Sequence, residues 1–162
     1  MPDAVDQHLR EWRTERPDLD TSGLGIVNRI WMLSKLIRRR TRKVLAPFEM
    51  EMWEFEVLAA LRRQGEPFEL PPSVLAKMSL LTTGAMTNRI DRLEERNLVE
   101  RKPDPKDRRA LLISLTQKGV DLIDRAIEVR ADEAARIVNC LEEPERVELA
   151  HLLRTLVMEA KG

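Results

Sequence analysis

The stretch that decides the fold is residues 81–119, which read LTTGAMTNRIDRLEERNLVERKPDPKDRRALLISLTQKG. Thr82 is a suitable N-cap residue, and apolar residues recur after it at the spacing of one helix face. We therefore predict a helix over residues 83–97 that packs its apolar face on the core of the domain. The residues of that face are Met86, Ile90 and Leu93.

A β-hairpin is predicted directly after this helix. Residues 98–102 alternate in polarity as a strand does, and residues 110–115 form a second strand-like run. The segment 103–107 between them is polar and contains two prolines, a composition typical of a turn.

Two shorter helices are predicted upstream. One covers residues 53–63 and ends before Gly65 and Pro67. The other covers residues 71–78 and opens on two prolines, which are accepted in the first turn of a helix. A short helix, a tight turn, a second helix and a hairpin make a winged helix-turn-helix.

Long helices flank this small core on both sides, and Thr116 is the predicted N-cap of the first helix on the C-terminal side. Their apolar faces are larger than the winged helix alone can cover, which suggests a symmetric homodimer. The predicted fold class is mainly α with a small β-hairpin, a winged helix-turn-helix with N- and C-terminal dimerisation helices. The predicted parts of this single domain, residues 1–162, are an extra N-terminal helix at about 3–16, dimerisation helices at about 23–45 and 117–161, and a winged helix at about 53–115.

The composition is that of a globular protein, with 43% hydrophobic and 35% charged residues. The formal net charge is zero, so any affinity for nucleic acid must come from local patches. Charge is unevenly distributed along the chain. Residues 21–48 contain seven basic residues and no acid, whereas residues 119–162 contain ten acids and six bases.

The residue inventory argues against an enzyme and against a secreted protein. There is no glycine-rich phosphate loop or nucleophile elbow, and the two histidines, His8 and His151, have no metal-ligand cluster beside them in the sequence. Neither a metal nor a cofactor is expected. The single cysteine, Cys140, excludes a disulfide within the chain and fits the reducing cytoplasm, and no signal peptide is expected.

The outer face of the helix at 83–97 carries hydroxyl, amide and guanidinium groups that can donate to base edges or phosphates in a major groove. Gly84 lets the backbone approach DNA closely. The candidate DNA-binding residues of this element are Thr82, Thr83, Gly84, Thr87, Asn88 and Arg92. An ordinary amphipathic helix with a solvated polar face is the alternative at this point.

The turn of the hairpin is basic and would protrude as a wing able to enter an adjacent minor groove. Asp107 is spaced to brace the loop or to orient Arg109. The candidate DNA-binding residues here are Lys106, Asp107, Arg108 and Arg109. An exposed, salt-bridged turn without a DNA contact is the alternative.

These stretches resemble the MarR family of transcriptional regulators, in particular the Asp-Arg-Arg at 107–109 followed by Leu-Thr-x-x-Gly at 115–119. The resemblance extends over the whole chain. It implies a dimer bound to duplex DNA at a pseudo-palindromic operator. The helix with Trp12 and the segments 16–20 and 88–90 further resemble the PecS and HucR subgroup.

The subgroup resemblance implies a repressor of its own gene and of a divergently transcribed neighbour, released from DNA by urate or a related purine. Its ligand-binding residues correspond to Trp12, Glu56 and Arg89. The subgroup usually has Asp where this chain has Glu56. Because Glu is one methylene longer, the pocket is expected to be narrower or its carboxylate displaced.

The residues themselves leave two interpretations of Arg89 open. Arg89 lies at the edge of the buried helix face, where a guanidinium group needs a partner, and Glu56 is a candidate. A planar anionic ligand could compete for Arg89, with Trp12 as an aromatic wall, and thereby tilt the DNA-reading helix. The alternative is a structural ion pair between Glu56 and Arg89 without a ligand.

Two further functions stay open from the residues alone. One is a repressor that responds to phenolic or aromatic carboxylate compounds, or to no ligand. The other is a winged-helix module that binds a protein partner and does not read DNA. We interpret Trp31 and Trp53 as core or interface residues, with a place near the ligand pocket as the alternative for Trp53. We interpret Cys140 as buried packing.

Overall fold

The computed structural model describes residues 2–107 and 109–160, and the chain divides into two compact units, residues 1–43 and 44–162. The first unit contains α1 (Ala4–Glu15) and all but the end of α2 (Ser22–Leu45). The helices of the second unit are α3 (Met52–Arg62), α4 (Pro72–Met78), α5 (Thr83–Glu95), α6 (Gln117–Val138) and α7 (Glu143–Glu159), and its strands are β1 (Glu69–Leu70), β2 (Val99–Pro103) and β3 (Leu111–Leu115).

Within the first unit, one arginine of α2 holds the start of α1. Asp3 caps α1 and forms a capping box with Asp6. The guanidinium group of Arg29 donates to both carboxylates, at 2.9 Å from Asp3 Oδ2 and 2.6 Å from Asp6 Oδ1. Its hydrogen bond is the main cause of the lowered pKa of Asp3. The pKa of Asp6 is lowered first by the backbone N–H of Asp3 and then by Arg29.

The core of the second unit confirms the predicted helix faces. Met86, Ile90 and Leu93 of α5 are at most 1% exposed. They pack with apolar residues of α3, of the hairpin and of α6 into one cluster. Leu58, Leu61, Leu98, Ile113 and Ile123 are fully buried members of that cluster.

The sheet has three strands, one more than the sequence predicted. β2 and β3 form the expected antiparallel hairpin, with Val99 opposite Leu115 and Pro103 opposite Leu111. β1 adds to the other edge of β3, where Glu69 lies opposite Ser114. A two-residue strand is too short to show the alternation that identifies strands, and β1 was therefore not predicted.

The start of α6 explains the Leu-Thr-x-x-Gly motif. Thr116 is the N-cap and accepts a hydrogen bond from the N–H of Gly119 at 3.1 Å, as predicted. A Cβ atom on Gly119 would lie 2.1 Å from the carbonyl oxygen of Leu98. The helix therefore approaches the strand end so closely that only glycine fits.

Large apolar side chains are exposed on α2 and on α7. Those of α2 are Leu24, Ile26, Val27, Ile30, Trp31, Leu33 and Leu36, and those of α7 are Val147, Leu149, Leu152, Leu153, Leu156, Val157 and Met158. Dimerisation through these faces stays a prediction.

One prediction about a single residue was wrong. Cys140 is exposed just after α6 and is not buried packing, because α6 ends at Val138 and the chain turns into α7. Trp31 was predicted to be a core or interface residue; at 62% exposure it is not in the core, and its place in an interface stays a prediction. The ammonium group of Lys35 lies 3.5 Å from the centroid of the Trp31 ring. None of the helices in residues 2–107 and 109–160 has the length and apolar composition needed to cross a membrane.

Candidate nucleic-acid interface

The first turns of α5 present the predicted DNA-reading groups to solvent. The hydroxyl of Thr82 caps the helix by accepting the N–H of Ala85 at 3.3 Å. The hydroxyl of Thr87 donates to the carbonyl of Thr83 at 3.0 Å, which leaves its oxygen free to accept. Nothing lies within 4 Å of the place where Gly84 would carry a Cβ atom. The candidate residues Thr82, Thr83, Gly84, Thr87, Asn88 and Arg92 are all exposed.

The wing turn is organised by its two aspartates. Asp107 accepts the backbone N–H of Arg109 at 2.9 Å, and Asp104 accepts that of Lys106 at 2.8 Å. Asp107 thus braces the loop, one of the two roles predicted for it. Lys106, Asp107 and Arg109 are exposed, and the candidate Arg108 lies outside the described residues. The wing therefore presents basic side chains on a hydrogen-bonded turn.

A guanidinium group joins the wing to α5. Arg101 on β2 forms ion pairs with Asp91 and Glu94, which lie about one turn apart on α5. Its backbone N–H also donates to Glu94 at 3.3 Å. These carboxylates raise the pKa of Arg101 through hydrogen bonds, with Asp91 as the largest cause. Arg101 was not predicted as a site residue, because an arginine on an amphipathic strand shows no sign of its partner.

A further ion pair fixes the C-terminal end of α5. Glu54 on α3 accepts a hydrogen bond from Arg96, the C-cap residue of α5, at 2.7 Å. The Glu54 side chain is only 5% exposed, and its second oxygen accepts the N–H of Glu51 at 2.7 Å. Lys118 donates to the carbonyl of Arg96 at 2.8 Å. This pair was not predicted either, although Glu54 occupies the third position of a capping box.

Arg89 has an aromatic partner and not the carboxylate that was predicted. Its guanidinium carbon lies 5.2 Å from the centroid of the Trp53 ring, and that of Arg92 lies 5.1 Å from the same centroid. Glu56 is exposed and forms no ion pair or hydrogen bond with Arg89 in the part of the chain that the structure describes. The other residues of α3 from 54 to 61 are buried, so the exposed Glu56 marks the narrow solvent face of this helix. The structural Glu56–Arg89 ion pair is therefore wrong for this structure.

Trp12, the third predicted ligand residue, belongs to the first unit. It is 47% exposed and lines a shallow cavity of about 300 Å³ with His8, Glu11 and Glu15.

Within residues 2–107 and 109–160 no group of three or more His, Cys, Asp or Glu side chains is placed to hold a metal ion.

Comparison with known proteins identifies the fold and the family. The MarR family pattern matches residues 49–110, which run from before α3 to the wing. The chain is 34% identical to the HTH-type transcriptional regulator PecS of Dickeya dadantii, over 92% of this chain and 90% of that protein. Among solved structures, it is similar to AbsC, a MarR family transcriptional regulator from Streptomyces coelicolor, with a TM-score of 0.75 at 23% identity, over 100% of this chain and 99% of that one.

A further similarity relates the described surface to DNA. A mutant of MarR from E. coli complexed with operator DNA matches with a TM-score of 0.72 and 25% identity, over 90% of this chain and 96% of that one. This similarity agrees with the exposed hydroxyl, amide and guanidinium groups of α5 and of the wing. It argues against an enzyme and against a winged-helix module that binds a protein partner and does not bind DNA. The chain therefore belongs to the MarR family of winged-helix, DNA-binding transcriptional regulators.

Proposed function

We propose that this regulator is a homodimeric repressor that a small anionic aromatic ligand, such as urate or a related purine, releases from a pseudo-palindromic operator. The observation that carries the proposal is the state of Arg89. It is a partly buried arginine on the DNA-reading helix, and no carboxylate neutralises it in the described part of the chain. An anion is the partner that such a group lacks.

In this proposal the DNA contacts come from the exposed face of α5 and from the wing. Thr87, Asn88 and Arg92 reach base edges and phosphates in the major groove, and Lys106 and Arg109 reach the minor groove or its phosphates. Thr82, Thr83 and Gly84 bring the start of α5 close to the DNA backbone. Arg108 is proposed as a further DNA contact of the wing from the sequence alone.

The dimer is supported by the exposed apolar residues of α2 and α7, which an isolated chain would leave in water. A two-fold axis would set two copies of α5 about one DNA turn, roughly 34 Å, apart. A small tilt of α5 would then weaken binding at both half-sites. A regulator of this kind acts on the chromosome and works in the cytoplasm.

The ligand step follows from the position of Arg89 between the core and the DNA-reading surface. A planar anion that pairs with the Arg89 guanidinium would draw it from the Trp53 ring and shift the helix that carries it. Glu56 is an exposed carboxylate one turn from Trp53 and would favour a ligand that can donate hydrogen bonds. Trp12 is the aromatic contact that the family resemblance implies.

The test is fluorescence anisotropy on labelled DNA from upstream of the gene, titrated first with protein and then with urate at moderate salt. Release by urate in the wild type and not in Arg89→Met supports the proposal, because Met keeps the apolar stem and removes the charge. Arg63→Met is the matched control, since Arg63 is the exposed C-cap residue of α3 and forms no ion pair with any described residue.

Each other outcome is informative. Release by salicylate and not by urate would assign the site to aromatic carboxylates. Full urate response in Arg89→Met would exclude Arg89 as the ligand contact. Full response in Trp12→Phe would remove Trp12 from the site.

A further inference from the structure

We infer that Trp53 is a positioning residue for DNA binding, because its ring holds the guanidinium groups of Arg89 and Arg92 where α5 presents them to DNA. The inference rests on the DNA contact proposed for Arg92 and adds the group that positions it.

The geometry joins two helices through one ring. Trp53 is the second residue of α3, is partly buried and packs against the apolar core of the second unit. The guanidinium carbons of Arg89 and Arg92 lie 5.2 Å and 5.1 Å from its centroid, within the roughly 6 Å range of a cation–π contact. The two arginines are three residues apart on α5 and therefore share a face.

The neighbouring arginines are held differently. Arg96 pairs with Glu54, and Arg101 pairs with Asp91 and Glu94, so their charges are neutralised. Neither Arg89 nor Arg92 has a carboxylate partner within residues 2–107 and 109–160, although α5 itself contains three acids. Arg96 and Arg101 therefore brace α5, whereas Arg89 and Arg92 remain available to bind an anion.

An aromatic ring can orient a cation without cancelling its charge. A carboxylate would occupy the N–H donors of the guanidinium group and compete with a phosphate for them, whereas the ring leaves the donors at the edge of the guanidinium plane free. Holding a long side chain before DNA arrives also reduces the conformational entropy lost on binding. Trp53 thus prepares Arg92 for a phosphate while leaving its positive charge effective.

The experiment is a double-mutant cycle on DNA affinity, measured by anisotropy at two salt concentrations with Trp53→Leu, Arg92→Met and the double variant. We expect Trp53→Leu to weaken binding about three- to tenfold, as expected from the loss of exposed cation–π contacts. Arg92→Met should weaken binding and reduce the slope of log Kd against log salt by about one. Adding Trp53→Leu to Arg92→Met should then have little further effect.

Two variants control for packing. Trp53→Phe keeps an aromatic ring and should bind DNA nearly as well as the wild type. Phe68→Leu removes another partly buried ring of the same unit, whose centroid lies 4.8 Å from the guanidinium carbon of Arg62 on α3, and should leave DNA affinity unchanged. If Phe68→Leu weakens binding as much as Trp53→Leu does, the effect is one of packing and the inference is overturned.

A second measurement covers the case in which Trp53→Leu does not fold. In the Trp12→Phe, Trp31→Phe background Trp53 is the only tryptophan, and its emission should change when DNA is added. Arg92→Met should abolish most of that change. An emission that DNA leaves unaltered overturns the inference.

The outcomes separate this inference from the proposed function. If the wild type does not bind operator DNA, the proposed function fails. If the wild type binds and Trp53→Leu either has no effect or weakens Arg92→Met by its full factor, only the inference about Trp53 fails.

Discussion

Arg96 at the end of α5 donates to the carboxylate of Glu54 on α3 across 2.7 Å, and the Glu54 side chain is only 5% exposed. Since Glu54 also closes the capping box of α3, one buried carboxylate organises the start of one helix and the end of another. The helix α5 is thereby fixed at the end opposite the first turns, which we propose contact DNA.

Removing this carboxylate should destabilise the fold. Glu54→Gln leaves Arg96 without a counter-charge, and because Arg96 is itself one-third exposed we expect a loss of about 1–3 kcal/mol in the free energy of unfolding, below the range for fully buried pairs. Urea denaturation measures the change. Glu95→Gln, an exposed acid on α5, is the control and should change stability by less than about 0.5 kcal/mol. Equal effects of the two substitutions would contradict a structural role of the pair.

The bridge between wing and α5 should affect DNA binding more than stability. Arg101→Lys keeps the charge but loses the planar fork that reaches both Asp91 and Glu94. We expect a loss of about 1 kcal/mol in stability, a larger loss in DNA affinity and faster hydrogen exchange in β2 and β3. Unchanged exchange in the hairpin would show that Arg101 does not hold the wing.

Gly119 should not tolerate even alanine. A methyl group would meet the carbonyl oxygen of Leu98 at 2.1 Å, so α6 or β2 must shift, and we expect Gly119→Ala to cost at least about 2 kcal/mol. The matched control is Gly84→Ala, which meets nothing within 4 Å and should stabilise α5 by about 0.5–1 kcal/mol. Thermal unfolding compares the two. If Gly84→Ala also weakens DNA binding, DNA approaches α5 at that point.

The contact between α1 and α2 should depend on pH. The pKa values of Asp3 and Asp6 are lowered from 3.8 in the folded chain, and hydrogen bonds from Arg29 contribute to both shifts. Protonation of Asp3 and Asp6 therefore favours the state in which α1 is detached from α2. The stabilisation is complete above the ordinary Asp pKa and is lost as the pH falls through the lowered values.

Hydrogen exchange of α1, corrected for its intrinsic pH dependence, tests this prediction. Exchange should accelerate below about pH 4 in the wild type, and should be faster and less dependent on pH in Arg29→Met, where only the capping hydrogen bonds still lower the two pKa values. Arg38→Met on the same helix is the control, because Arg38 is exposed and has no ion pair in the described ranges. A wild-type α1 that stays protected at pH 2 would contradict the role of Arg29.

The sequence by itself determined the elements that depend on neighbours along the chain. The N-caps Thr82 and Thr116 and the apolar face of α5 are local signals, and each lies where it was predicted. The hairpin is equally local, since a polar turn joins two short strands that pair with each other.

Only the tertiary structure decided which side chains meet across elements. Glu54 and Arg96 are 42 residues apart in the sequence, and the paired residues of β1 and β3 are separated by a similar distance along the chain. The rotation of α3 about its axis turned Glu56 to solvent and placed Trp53 against Arg89 and Arg92, so the predicted carboxylate partner became an aromatic one. Periodicity shows which face of a helix is buried, but partners are chosen by how two helices are rotated against each other, and that depends on the packing of the whole core.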